Sequence, residues 1–172
     1  MTSPTDLPGA PDMPTPVTLA RVHRLLAADG WTHDAENDRL TRRWPHLEID
    51  LTVRRRDGLL LLFRGRPVGG EIAIARMRAV ESFITDWHRD RIWPVVVMTS
   101  TGEAIQVHTH VGIDATAGLT ASQLDDVLRV GIGTTHQCFT TLGEVGLVPR
   151  APGPDSPPED PADPPSADPD PR

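Results

Sequence analysis

Residues 47–63, LEIDLTVRRRDGLLLLF, constrain the fold more than any other stretch of this chain. Leu47, Ile49, Leu51 and Val53 alternate strictly with Glu48, Asp50 and Thr52. Successive side chains of a strand point to opposite faces, so this is a half-buried strand with its apolar set inward. Residues 54–58, RRRDG, then make a hairpin turn in which Gly58 can take the left-handed conformation. The return strand, residues 59–63, is apolar at every position. A two-residue turn would put Leu60 and Leu62 on the face of Val53, and a three-residue turn would put Leu59, Leu61 and Phe63 there. Either register leaves at least two large apolar side chains on the other face, where something has to cover them.

The remaining elements fall around this hairpin. Thr18 can cap a helix whose stripe is Leu19, Val22 and Leu26, stopped by Gly30. Residues 31–38 are turn-rich, and residues 39–44 form a short strand. After a loop over residues 65–70, a helix is expected from about 72 to 92 on the stripe Ala73, Met77, Val80, Ile84 and Trp87, with Phe83 alongside. Pro94 ends it, residues 95–98 are a buried strand, and a turn over residues 100–103 leads to a last strand, residues 104–111. Thr120 to Gln123 is a capping box that opens the final helix, lined by Leu124, Leu128, Ile132, Phe139 and Leu142, with Gly131 and Gly133 weakening its middle. The order α-β-β-β-α-β-β-α predicts an α+β domain, a single antiparallel sheet with helices packed against it.

Composition bounds the domain. Residues 1–16 hold five prolines, and residues 148–172 are mostly Pro, Asp, Ser and Ala. Neither segment buries enough apolar surface to offset its ordering entropy, so both are expected to be disordered extensions of a domain at residues 17–147. Of the net charge of −7, the first 16 residues carry −2 and residues 148–172 carry −4. The core is near neutral, with 15 arginines against 16 acids, which argues against a nucleic-acid binder with a basic face. Cys138 is the single cysteine, so no intrachain disulfide forms and a reducing compartment is expected. The N-terminus lacks a signal-peptide pattern, and the longest apolar runs, residues 59–63 and 94–98, are far short of a membrane span. The expected location is the cytoplasm.

With the elements in this order, the chain resembles the YbjN family. The residues that carry the resemblance are TDWHRDRIWPV at 85–95, a helix end followed by proline and an apolar strand, and GLTASQL at 118–124, a capped helix start. Asp86 and His88 stand where members often have asparagine. The resemblance implies an architecture like that of type III secretion chaperones, no catalytic residues, and a role described as sensory-transduction regulation. Relatives by fold dimerise and hold other polypeptides.

The candidates for chemistry are few. His108 and His110 share one side of a strand, a spacing that can offer two imidazoles to one metal, but a zinc site needs a third and usually a fourth ligand. Gln106 shares their side while Ile105, Val107 and Val111 occupy the other, so the pair reads as the polar face of a half-buried strand. Arg54, Arg55 and Arg56, with acids nearby and no aromatic platform, read as a solvated hairpin tip. The loop at 65–70, GRPVGG, lacks the Lys-Ser or Lys-Thr of a phosphate-binding loop. His136 and Cys138 are two apart on a helix and so face different ways, which makes Cys138 a core filler.

The residues, together with what the YbjN resemblance implies, lead to the expectation of a non-catalytic, chaperone-like or regulatory protein-binding module. It acts as a homodimer, without cofactor, resident metal, nucleic acid or membrane. Contact to a protein partner or second copy is expected through Trp44, Leu60 and Leu62. The alternative is a metal-binding protein or metal-dependent enzyme that uses His108 and His110.

Overall fold

A computed structural model of the chain describes residues 13–55 and 57–150. The expected extensions at residues 1–16 and 148–172 lie mostly outside the described residues. At the boundaries, Thr15 bridges Leu119, and Leu147 and Val148 are buried.

Helix α1 (Leu19–Leu26) is capped by the Thr18 hydroxyl, which accepts from the Arg21 amide. Strands β1 (Thr32–Asp34), β2 (Arg39–Arg43), β3 (Leu47–Arg55) and β4 (Leu59–Pro67) follow as an antiparallel meander. The short β5 (Glu71–Ala73) and one 3-10 turn lead into α2 (Met77–Asp90). Strands β6 (Val95–Ser100) and β7 (Ala104–Asp114) form the second hairpin, and α3 (Ala121–Glu144) closes the domain. The seven strands make one open antiparallel sheet in the order β1-β2-β3-β4-β7-β5. β4 and β5 share one edge of β7, and β6 takes the other. The α+β class and the single antiparallel sheet stand as the residues led us to expect.

Three local expectations are corrected. The segment read as the first turn of a long helix is β5: Ile72 pairs with Ile105, a long-range contact, although Ala73, Met77 and Val80 fit helical spacing. Gly69, at φ 71°, turns the chain so that it rejoins the same edge of β7. Residues 32–34, read as connection, pair with β2 as β1. Strands β3, β4 and β7 are longer than their apolar runs, because their polar ends also find ladder partners.

Register settles the question posed by the leucine run. Arg55 pairs with Leu59 and Val53 with Leu61, so the hairpin connection has three residues. Leu59, Leu61 and Phe63 join Leu47, Ile49 and Leu51 in the core. Leu60 and Leu62 point the other way. All three helices cover the first face: Leu124, Leu128 and Phe139 of α3, Val80 and Trp87 of α2, and Val22 and Leu26 of α1 belong to the same buried cluster. Two glycines set how closely α3 approaches. A Cβ on Gly131 would sit 2.8 Å from the Phe63 ring, and one on Gly65 would sit 2.5 Å from Thr109 Oγ1 and from Thr135 Cγ2. The glycine that lowers helix propensity in mid-α3 is thus where the Phe63 ring packs. The Thr120–Gln123 capping box is present with both of its hydrogen bonds.

Candidate interaction face

No helix of the described residues covers the second face of the sheet. Strand alternation places on it Leu60, Leu62, Arg64 and Arg66 from β4, His108, His110 and Gly112 from β7, and Val95 and Val97 from β6. Leu60 is 41% exposed and Val95 46%, while Leu62 and Val97 are half-buried. Ile92 and Trp93, just before β6, are exposed as well. Leu62 pairs with Gly112, and Val95 with His110. The face therefore has two apolar flanks, on β4 and β6, separated by the two imidazoles.

The β2–β3 side of this face is polar and tightly paired. Asp50 is only 6% exposed because the Arg39 guanidinium (3.3 Å), the Arg66 guanidinium (3.2 Å) and the Thr41 hydroxyl (2.8 Å) all donate to its carboxylate. Arg66 also bridges to Glu48, and Arg39 to Asp34 at 3.0 Å. This network was invisible in the sequence, because Glu48 meets Arg66 only through the β3–β4 register. A buried carboxylate persists only when paired and hydrogen-bonded, and Asp50 is both. Arg54 and Arg64 lie on the same face without an ion-pair partner among the described residues.

His108 and His110 stand edge to face with ring centroids 5.1 Å apart. Burial, then the Arg64 guanidinium, holds both below the usual imidazole range, and His110 adds to the effect on His108. They are therefore neutral at pH 7, with lone pairs that could ligate. Among the described residues no group of three His, Cys, Asp or Glu side chains is close enough to hold a metal ion.

Trp44 is placed elsewhere. It continues the inward side of β2 and meets α3 edge-on, its ring centroid 4.4 Å from that of His136 and 6.1 Å from that of Trp31. The Arg42 guanidinium lies 4.6 Å above it. Of the three residues expected at a contact, Leu60 and Leu62 share the uncovered face, and Trp44 stands across the sheet from them. Beside Trp44, His46 is buried with neither ring nitrogen hydrogen-bonded, and burial pushes its pKa down. Cys138 is fully buried, and burial raises its thiol to about 12, so it carries almost no thiolate at neutral pH.

The model of the family described as "YbjN: Putative bacterial sensory transduction regulator" matches residues 18–144, which run from the cap of α1 to the end of α3. This chain belongs to the YbjN family. Among solved structures it is similar to "YbjN, a putative transcription regulator from E. coli", with a TM-score of 0.64 and 9% identity over 79% of this chain and 98% of that one. At that identity the likeness shows the YbjN fold and nothing finer. The curated proteins searched include no match to this sequence. In this YbjN-family domain, no helix of the described residues is long and apolar enough to cross a membrane.

Proposed function

We propose that this YbjN-family chain is a non-catalytic, chaperone-like regulatory module of the cytoplasm. It binds protein through the uncovered face of its sheet and acts as a homodimer through Leu60 and Leu62. The observation that carries this reading is the one-sided sheet: a leucine pair stands outward with no helix of the described residues over it, and Val95 and Val97 stand on the same face beyond the two imidazoles. Monomers seldom leave grouped apolar side chains bare, and a two-fold contact between identical faces buries both flanks with one surface. The absence of catalysis is supported by the family description and by the burial of Cys138, the only cysteine. Trp44, packed against His136 on the helix side of the sheet, is left out of this contact.

The test is mass by light scattering across a concentration series, for wild type and for Leu60→Asp with Leu62→Asp. Wild type is expected at twice the chain mass. A two-fold contact counts four leucines, each already partly covered and so contributing about 0.7 kcal/mol, and the double variant should therefore raise the dissociation constant by on the order of 100-fold. A wild-type monomer at every concentration removes the dimer.

A further inference from the structure

On the helix side of the domain, α2 and the end of α3 enclose a groove of about 540 Å³. Its floor is Phe83 and Trp87 of α2 with Thr141, Val145 and Leu147. The Phe83 and Trp87 rings stack at 5.9 Å, and the Arg91 guanidinium lies 4.4 Å above Trp87. Val145 is 52% exposed. We propose that this groove holds, in cis, the proline-rich acidic segment that follows it, residues 149–160.

The end of α3 directs the chain there. Gly146 takes φ 68°, the Leu147 amide donates to the Leu142 carbonyl, and the chain reverses into Leu147, which lines the groove. The Arg76 guanidinium donates to the Gly146 carbonyl and so fixes this exit at the N-terminal end of α2. From there the arithmetic is short. The 14 residues of α2 span about 21 Å at 1.5 Å each, a length that about seven residues of polyproline II cover at 3.1 Å each. Seven residues beyond Val148 is Asp155, which therefore reaches the other end of α2, where Arg91 has no carboxylate partner among the described residues.

The chemistry of the segment fits both parts of the path. Pro149, Pro152 and Pro154 travel over the aromatic and apolar floor, and proline-rich segments dock on such floors because little conformational entropy is left to lose. Asp155 arrives at the Arg91 end, and Glu159 and Asp160 follow within the next five residues. Asp86 in the groove wall is already tied to Arg89 at 2.8 Å, which leaves Asp90 as the acid to be avoided. The tether is so short that the effective concentration reaches the millimolar range, which makes weak docking sufficient. A proline-rich acidic ligand arriving in trans would have to displace this segment. The groove is remote from Leu60 and Leu62, so the outcome here is independent of the dimer.

The test uses the full chain with a nitroxide on Ser156→Cys; Cys138 is buried and stays unlabelled. Amide broadening is compared with that of a second chain in which Asp155, Glu159 and Asp160 become Asn, Gln and Asn. Docking puts the strongest broadening at residues 87–93, and the neutralised segment should restore those signals at least twofold. An undocked label wanders only about 16 Å from Leu147, so its broadening centres on residues 76–80 and 145–148 instead. Arg91→Glu, on an exposed side chain, should act like the neutralised segment. The same pattern in both chains, a maximum on β4 or β7, or broadening that persists in a mixture of spin-labelled and isotope-labelled copies each overturns the proposal.

Discussion

Gly65 and Gly112 form a matched pair that reports directly on the one-sided sheet. Both lie in the central strands β4 and β7, and neither has a left-handed backbone, so alanine brings no strain in φ at either position. They differ in what a Cβ would meet. At Gly65 the new methyl would come 2.5 Å from Thr109 Oγ1 of β7, and 2.5 Å from Thr135 Cγ2 and 2.9 Å from Phe139 Cε2 of α3. Threonine side chains are stiff at χ1 and the Phe139 ring is fully buried, so none yields cheaply. Overpacking of this kind costs about 1–3 kcal/mol, occasionally more. Burying a methyl and restricting the unfolded chain give back roughly 1 kcal/mol. With three contacts below 3.0 Å the steric term belongs at or above the upper end, so a net loss of about 2 kcal/mol is expected for Gly65→Ala. At about 2.1 cal/mol/K per residue over roughly 130 ordered residues, that lowers Tm by about 7 °C. At Gly112 the nearest atom is Leu62 Cδ2 at 3.4 Å, an ordinary contact on the uncovered face. Gly112→Ala should stay within about 0.5 kcal/mol of wild type or gain slightly. Urea and thermal unfolding by circular dichroism, at one fixed protein concentration, measure both. If Gly65→Ala melts with wild type, or Gly112→Ala loses as much as Gly65→Ala, the placement of α3 on one face alone is wrong.

Two further outcomes follow from the histidines. Burial lowers the pKa of His46, His108, His110 and His136 in the folded state, so their contribution to stability is complete above the unfolded value of about 6.5 and drains away as pH falls below it. His46→Phe removes two unpartnered buried nitrogens; the variant should be at least as stable as wild type at pH 7.5 and lose less between pH 7 and 5, and an unchanged pH slope in urea unfolding would refute this. Protein purified without an affinity tag is expected to carry no stoichiometric zinc by elemental analysis. One zinc per chain that disappears in His108→Ala would instead establish the paired imidazoles as a metal site.

The period-2 pattern of residues 47–53, the apolar run at 59–63, the capping box at Thr120 and the 3.6-residue stripe of α3 were enough to place this chain among α+β domains with one antiparallel sheet. These are local signals, set by which neighbours along the chain share a face. The segments at 85–95 and 118–124 carried the family for the same reason. What the chain alone left open depends on partners distant in sequence. The Val53–Leu61 register decided which leucines face outward, the pairing of Ile72 with Ile105 turned an apparent helix start into β5, and the meeting of Glu48 and Asp50 with Arg66 built the ion network. Trp44 shows the limit most plainly. Its neighbours in sequence could not reveal that β2 turns it toward His136 on α3, because a side chain's face follows from alternation, but what lies over that face is set by how helix and sheet pack.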